Sequence, residues 1–253
     1  MQIIKTYLII ILTSIICFLF LGEFYLTVYF DKGKNYLEKI EKNAKIYEKL
    51  TDKKYDARSK VDFYFDLKVD EPDTSLALPF QAKSNPNLQS LAGVSNVNTI
   101  FCNENGYYSV YQSDRYGFNN PDDEWESKEV EYLLVGDSFP HGACVNRPHD
   151  FSSVLRSLSN KSVINLGYSG NGPLNEYATL REYMPKNVKN IIWMYYGNDL
   201  NDLELELKNK ILIKYLEDKK FNQNLKNRQN EINQFLKLKI KTEIRLVEKN
   251  EDY

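Results

Sequence analysis

The chain has 253 residues, long enough for one ordinary domain plus an anchor or appendage. Its apolar share of 42% is that of a globular protein, and 33 basic against 35 acidic side chains give a net charge of -2, which leaves no global argument for nucleic-acid binding. Three cysteines without any Cys-x-x-Cys spacing give no metal pattern, and no cofactor is expected.

The first element is an apolar run over residues 7–21, starting at Tyr7. It continues through Gly22 and Glu23 to Phe30. A membrane-spanning helix needs about 20 apolar residues, and this stretch supplies them. Its far end is aromatic, as suits a membrane interface. A cleaved signal peptide is the competing reading. The length of the run and the lack of a small-x-small site after it favour a retained anchor over residues 1–30. Lys5 precedes the span, whereas Lys32, Lys34, Lys39, Lys42 and Lys45 follow it. Taken alone, the positive-inside rule puts the C-terminal part in the cytoplasm.

Residues 31–60 are charged, with Leu37, Ile40, Tyr47 and Leu50 at roughly helical spacing, and predict a solvated stalk helix. Residues 61–130 read as a β-rich appendage. The stretch 61–67 alternates weakly and predicts a strand. Residues 70–98, with Pro72, Pro79 and Pro86, predict a loop. The runs 99–101 and 107–111 predict short strands joined at Asn105-Gly106. Cys17 lies in the apolar span, so Cys102 and Cys144 remain for the soluble part. Either they form one disulfide in an oxidising compartment or they are two unrelated thiols, and spacing does not decide.

From residue 131 the pattern becomes α/β. Strands are predicted at 132–135, 163–165 and 190–195, and helices at 151–158 after an Asp150 cap and at 174–183 after Pro173. Strands about 30 residues apart with helices between them mark a parallel sheet. After Asp202 the chain is helical and Lys-rich. Phe221, Leu225, Ile232, Phe235, Leu236, Ile240 and Ile244 share one face, expected to pack on the core.

Three polar turns follow the three strands. In Gly136-Asp137-Ser138 a serine stands where a parallel strand ends, the edge at which such sheets bind ligands. Gly136 permits a tight turn, and Asp137 supports the loop. The second turn runs from Asn165 to Pro173 and contains Gly167, Gly170 and Gly172. Its glycine spacing does not match a dinucleotide loop. Gly170 N–H is a candidate donor to an oxyanion. The third turn, Tyr196-Gly197-Asn198-Asp199, offers the Asn198 amide as another. Asp199, Asp202, Glu204 and Glu206 match no metal-loop spacing, and acids in a first helical turn are ordinary.

The order Gly136-Asp137-Ser138-Phe139, then Gly170, then Gly197-Asn198-Asp199 resembles the SGNH (GDSL-type) hydrolase superfamily. Flanking stretches resemble a membrane-associated bacterial subgroup: Phe101-Cys102-Asn103-Glu104, Asp114-Arg115-Tyr116-Gly117-Phe118-Asn119-Asn120-Pro121, His141-Gly142-Ala143-Cys144-Val145 and Asn198-Asp199-Leu200-Asn201-Asp202-Leu203. The resemblance implies a three-layer, flavodoxin-like parallel-sheet α/β domain over residues 131–253. It also implies hydrolysis or transfer of ester-linked acyl groups on a carbohydrate or lipid, outside the cytoplasm. By position, Ser138 is the implied nucleophile. The Ser138 and Gly170 amides and the Asn198 side chain form the implied oxyanion hole.

The family places its base in a last Asp-x-x-His block, and the chain departs there. Its two histidines, His141 and His149, precede the second turn and follow Ser138 and Asn146, not Asp, at the third position back. Both read as surface histidines. The domain is therefore expected to be C-terminally incomplete and inactive or weak, with a non-catalytic, membrane-anchored binding or scaffold relative as the alternative. The expected location is a bacterial inner membrane, with the soluble part periplasmic.

Overall fold

Residues 133–135 are apolar without alternation, and Leu133, Leu134 and Val135 are all fully buried. Burial on both faces is the condition of an inner parallel strand, and it fixes the centre of the architecture. The computed structural model describes residues 2–79 and 83–251. The chain divides into two compact units, Met1–Asp56 and Ala57–Tyr253.

The first unit is a single helix, α1 (Gln2–Thr51). The sequence separates an anchor from a stalk near residue 30, but the backbone passes this point unbroken. No proline interrupts it, and a lone Gly33 costs only about 1 kcal/mol in a helix. Within α1, the 24 residues Ile4–Thr27 are long and apolar enough to cross a membrane. They span about 36 Å at 1.5 Å per residue, against about 30 Å of hydrocarbon. Beyond Thr51 the chain turns back, and the Tyr55 N–H donates to Glu48 Oε1 at 3.2 Å. The side chains of Tyr29, Phe30 and Leu37 lie outside the described residues, as do Asp252 and Tyr253.

The second unit opens with α2 (Lys60–Asp70), where the sequence suggested a strand. Ser59 Oγ caps it by accepting from Asp62 N–H at 3.1 Å. Val61, Tyr64 and Leu67 recur every three residues and pack on the core, while Phe65 and Val69 remain exposed. The weak alternation was the edge of a helical face. The proline-containing stretch expected as a loop holds β1 (Thr74–Leu76), β2 (Ser84–Asn85) and β3 (Leu88–Gln89). Next come β4 (Asn98–Ile100) and β5 (Val110–Gln112). β1 pairs parallel to β4, and β4 antiparallel to β5. The β4–β5 connection turns at Gly106, whose φ is +87°.

The α/β part then runs β6 (Val130–Gly136), α3 (Ser138–His141), α4 (Phe151–Ser159), β7 (Val163–Asn165), α5 (Pro173–Tyr183) and β8 (Val188–Met194). It closes with α6 (Asp199–Glu206), α7 (Lys210–Glu217) and α8 (Gln229–Glu251). Asp150 caps α4 through Ser153 N–H at 3.1 Å, as its sequence position suggests. On α8, Ile232, Leu236, Ile240 and Ile244 are buried and face the core, whereas Phe221 and Leu225, expected on the same helical face, precede α8 in a loop and in the short 3-10 turn Leu225–Asn227.

The three α/β strands form one parallel sheet in the order β7-β6-β8. The chain leaves β6 for one neighbour and returns to the other side for the next. The loops at the carboxyl end of β6 therefore diverge, and a crevice opens at that switch point. The fold is mixed α/β, with a parallel sheet and an N-terminal apolar helix.

A disulfide joins Cys102, just after β4, to Cys144, just after α3, across 42 residues of chain. Closing a loop of that length stabilises by about 4 kcal/mol on the chain-entropy account. Alkylation of the denatured, unreduced protein should therefore add one label, at Cys17, and alkylation after reduction should add three. Three labels without reduction would show that the bridge does not form.

Candidate active site

Ser138 begins α3, directly beyond the carboxyl end of β6, and is half-buried. Gly136 makes this turn possible. Its φ is +153°, and a Cβ there would lie 2.8 Å from the Met194 carbonyl oxygen and 2.8 Å from Pro140 Cγ. Gly197 in the third turn meets no such limit, since a Cβ there would touch nothing within 4 Å.

The three turns meet at Asp137. Its Oδ1 accepts the Gly170 N–H at 2.5 Å, and its Oδ2 accepts Asn198 Nδ2 at 2.9 Å. The same Asn198 nitrogen also donates to Asp202 Oδ2 at 3.3 Å. Ser138, Gly170 and Asn198 thus stand at one edge around one buried carboxylate. Two of the three expected oxyanion donors, the Gly170 N–H and the Asn198 amide, point at Asp137. Beside them opens a cleft of about 1000 Å³. Phe101, Phe139, Phe151 and Val154 give it apolar walls, and the Cys102–Cys144 bridge lies along it.

The Ser138 hydroxyl has no hydrogen bond among the described residues. His141, expected at the surface, is fully buried. Its ring lies between Phe101 and Tyr168, with centroids 4.1 and 4.6 Å away. Nδ1 accepts from Ser169 N–H at 2.9 Å, and Nε2 lies 2.9 Å from the Tyr111 hydroxyl. Nδ1 is therefore unprotonated and Nε2 carries the hydrogen. Burial, reinforced by the charges of Lys83 and Lys60, lowers its pKa to about 3. With both nitrogens engaged, His141 ties α3 to the second turn and to β5, and has no site left to act as a base. His149 is exposed, as expected, and lies on the cleft wall.

Beneath the turns lies a polar floor that the sequence did not suggest. Lys83 is fully buried. Its Nζ donates to Asn171 Oδ1 at 3.2 Å and stands 3.7 Å from the Tyr168 ring centroid. Burial lowers its pKa to about 7, against the opposing pull of Asp137 and Glu206. Glu206 Oε1 accepts Gly172 N–H at 2.6 Å and Oε2 accepts Leu174 N–H at 2.9 Å, clamping α6 to the second turn. Its pKa is raised by burial to about 7. Glu176 accepts Trp193 Nε1 at 2.6 Å, and burial raises its pKa to about 8, with Asp199, Glu206 and Asp137 adding repulsion. Asp199, Asp202 and Glu206 fall at i, i+3 and i+7 of α6, a helical stripe that could have drawn attention to Glu206. Lys83 sits in a stretch with no periodic pattern, and nothing in the sequence marks it. Among the described residues, no cluster of His, Cys, Asp or Glu is arranged to hold a metal ion.

The chain matches no protein-family model, no curated protein and no solved structure.

Two measurements test this arrangement. Asp137→Ala removes the acceptor of two partly buried hydrogen bonds, and hydrogen bonds to a charged group are worth about 1.5–3 kcal/mol each. Urea denaturation should show a loss of about 3 kcal/mol, and a loss under about 1 kcal/mol would refute the clamp. Glu176 has a raised folded-state pKa. Its contribution is full below the unfolded value near 4.5 and is lost as pH rises through about 8. Glu176→Gln keeps the acceptor for Trp193 but does not ionise. The variant should match the parent at pH 4 and exceed it at pH 9 by on the order of 3 kcal/mol, and equal stability at both pH values would exclude a buried ionising Glu176.

Proposed function

We propose that the second unit is an SGNH-type serine esterase, acyl hydrolase or acyltransferase domain with a three-layer α/β fold. It acts on ester-linked acyl groups of a carbohydrate or lipid. One observation carries the reading: the Asp137 carboxylate gathers Gly170 and Asn198 beside Ser138, at the carboxyl edge of a parallel sheet and at the mouth of a large cleft. Ser138 Oγ attacks the ester carbonyl, and its proton must pass to a base. Negative charge then develops on the carbonyl oxygen. The Gly170 N–H and the Asn198 amide stabilise it once they turn from Asp137 to the substrate.

No described residue accepts a hydrogen bond from the Ser138 hydroxyl, so on this reading turnover by this chain is slow. Binding and the oxyanion donors alone leave roughly a thousandfold acceleration over water or more. A non-catalytic, membrane-anchored binding protein is the second reading. It is favoured by the engagement of both donors with Asp137 and of both His141 nitrogens. We place the chain in a bacterial inner membrane through α1, with the soluble part on the periplasmic side. The Cys102–Cys144 disulfide supports an oxidising compartment over the lysine count.

A fluorophosphonate probe separates the two functional readings. Slow labelling of the native protein that disappears in Ser138→Ala supports the hydrolase. Unlabelled protein with an intact folding transition supports the binding role.

A further inference from the structure

A second cavity, of about 320 Å³, lies at the opposite end of the parallel sheet. The loops that precede β6 and β8 form part of it, and seven residues of β6 place it about 20 Å from the Ser138 turn. Its wall carries Arg115, Lys128, Lys186 and Lys226 and no acidic side chain. Arg115 is already paired, with Asp122 at 2.7 Å and Glu126 at 2.5 Å. Lys128, Lys186 and Lys226 make no ion pair among the described residues. The ammonium of Lys226 is half-buried over two rings, 5.9 Å from the centroid of Tyr116 and 5.7 Å from that of Trp125. Its burial disfavours its charge, and the attraction of Glu182 only partly offsets this.

The two rings are fixed. They meet edge to face at 4.8 Å, and Trp125 Nε1 donates to Asp114 Oδ2 at 2.8 Å. Three lysines without an ion pair, one of them over two partly buried rings, call for a ligand with a negative group and a C–H face that can rest on the parts of Tyr116 and Trp125 that line the cavity. The volume is at the lower end of small-ligand sites, about 300 Å³.

We infer that this cavity binds a single sugar ring bearing a phosphate or carboxylate, through Lys128, Lys186 and Lys226, with Tyr116 and Trp125 as its apolar wall. The site is separate from the Ser138 cleft and does not depend on its chemistry. Titration calorimetry on the full chain in detergent tests it with glucose 6-phosphate and glucuronate as probes. At least one should bind saturably and more weakly as salt rises, while glucose gives no signal. Lys128→Ala should weaken binding about tenfold, the equivalent of one charge-assisted contact. Lys128 is exposed, so its removal leaves the core intact. No binding of either probe, equal binding of glucose, or affinity unchanged in both Lys128→Ala and Lys226→Ala would overturn the proposal. Inorganic phosphate bound as tightly as the sugar phosphate would overturn the assignment of a ring ligand.

Discussion

A carboxylate buried at the end of a parallel strand must be given hydrogen-bond donors, and Asp137 takes them from both neighbouring loops. An unpaired buried charge costs several kcal/mol, so the loops that carry Gly170 and Asn198 are drawn to it. Ser138 follows in the chain and is held at their meeting point. The meeting of the three turns beside the cleft depends on that side chain.

The clamp itself needs support. Asp137, Glu176, Asp199, Asp202 and Glu206 converge under the turns, and their mutual repulsion adds to the cost of burial. Backbone N–H groups at the start of α5 satisfy Glu206, the Trp193 indole satisfies part of Glu176, and the charge of Lys83 acts on Asp137 and Glu206. Lys83 comes from the segment before β2 and so binds the appendage to the floor of the cleft. His141 and the disulfide make two further ties between the same parts. The appendage is therefore part of the wall of the site, and its burial of Lys83 and His141 sets their charge states.

Much of the α/β part was legible because its signals are local. The run ending at Val135, the Asp150 cap and the stripe on α8 each follow from spacing and side-chain chemistry. The strand suggested at 61–67 failed because Val61, Tyr64 and Leu67 also fit a helix, and the Ser59 cap decides between the two. His141 was misjudged for another reason. The residues that enclose it, Phe101, Tyr111 and Tyr168, lie 27 to 40 positions away along the chain, beyond any local pattern.

By itself, the sequence determined the apolar helix, the parallel strands and the three polar turns that follow them, since each depends on residues close in the chain. Only the tertiary structure decided what those turns do to one another. Hydrogen-bond partners and burial are set by residues far apart in sequence. They assign the Gly170 and Asn198 donors to Asp137, lock both His141 nitrogens and place Lys83 under the site.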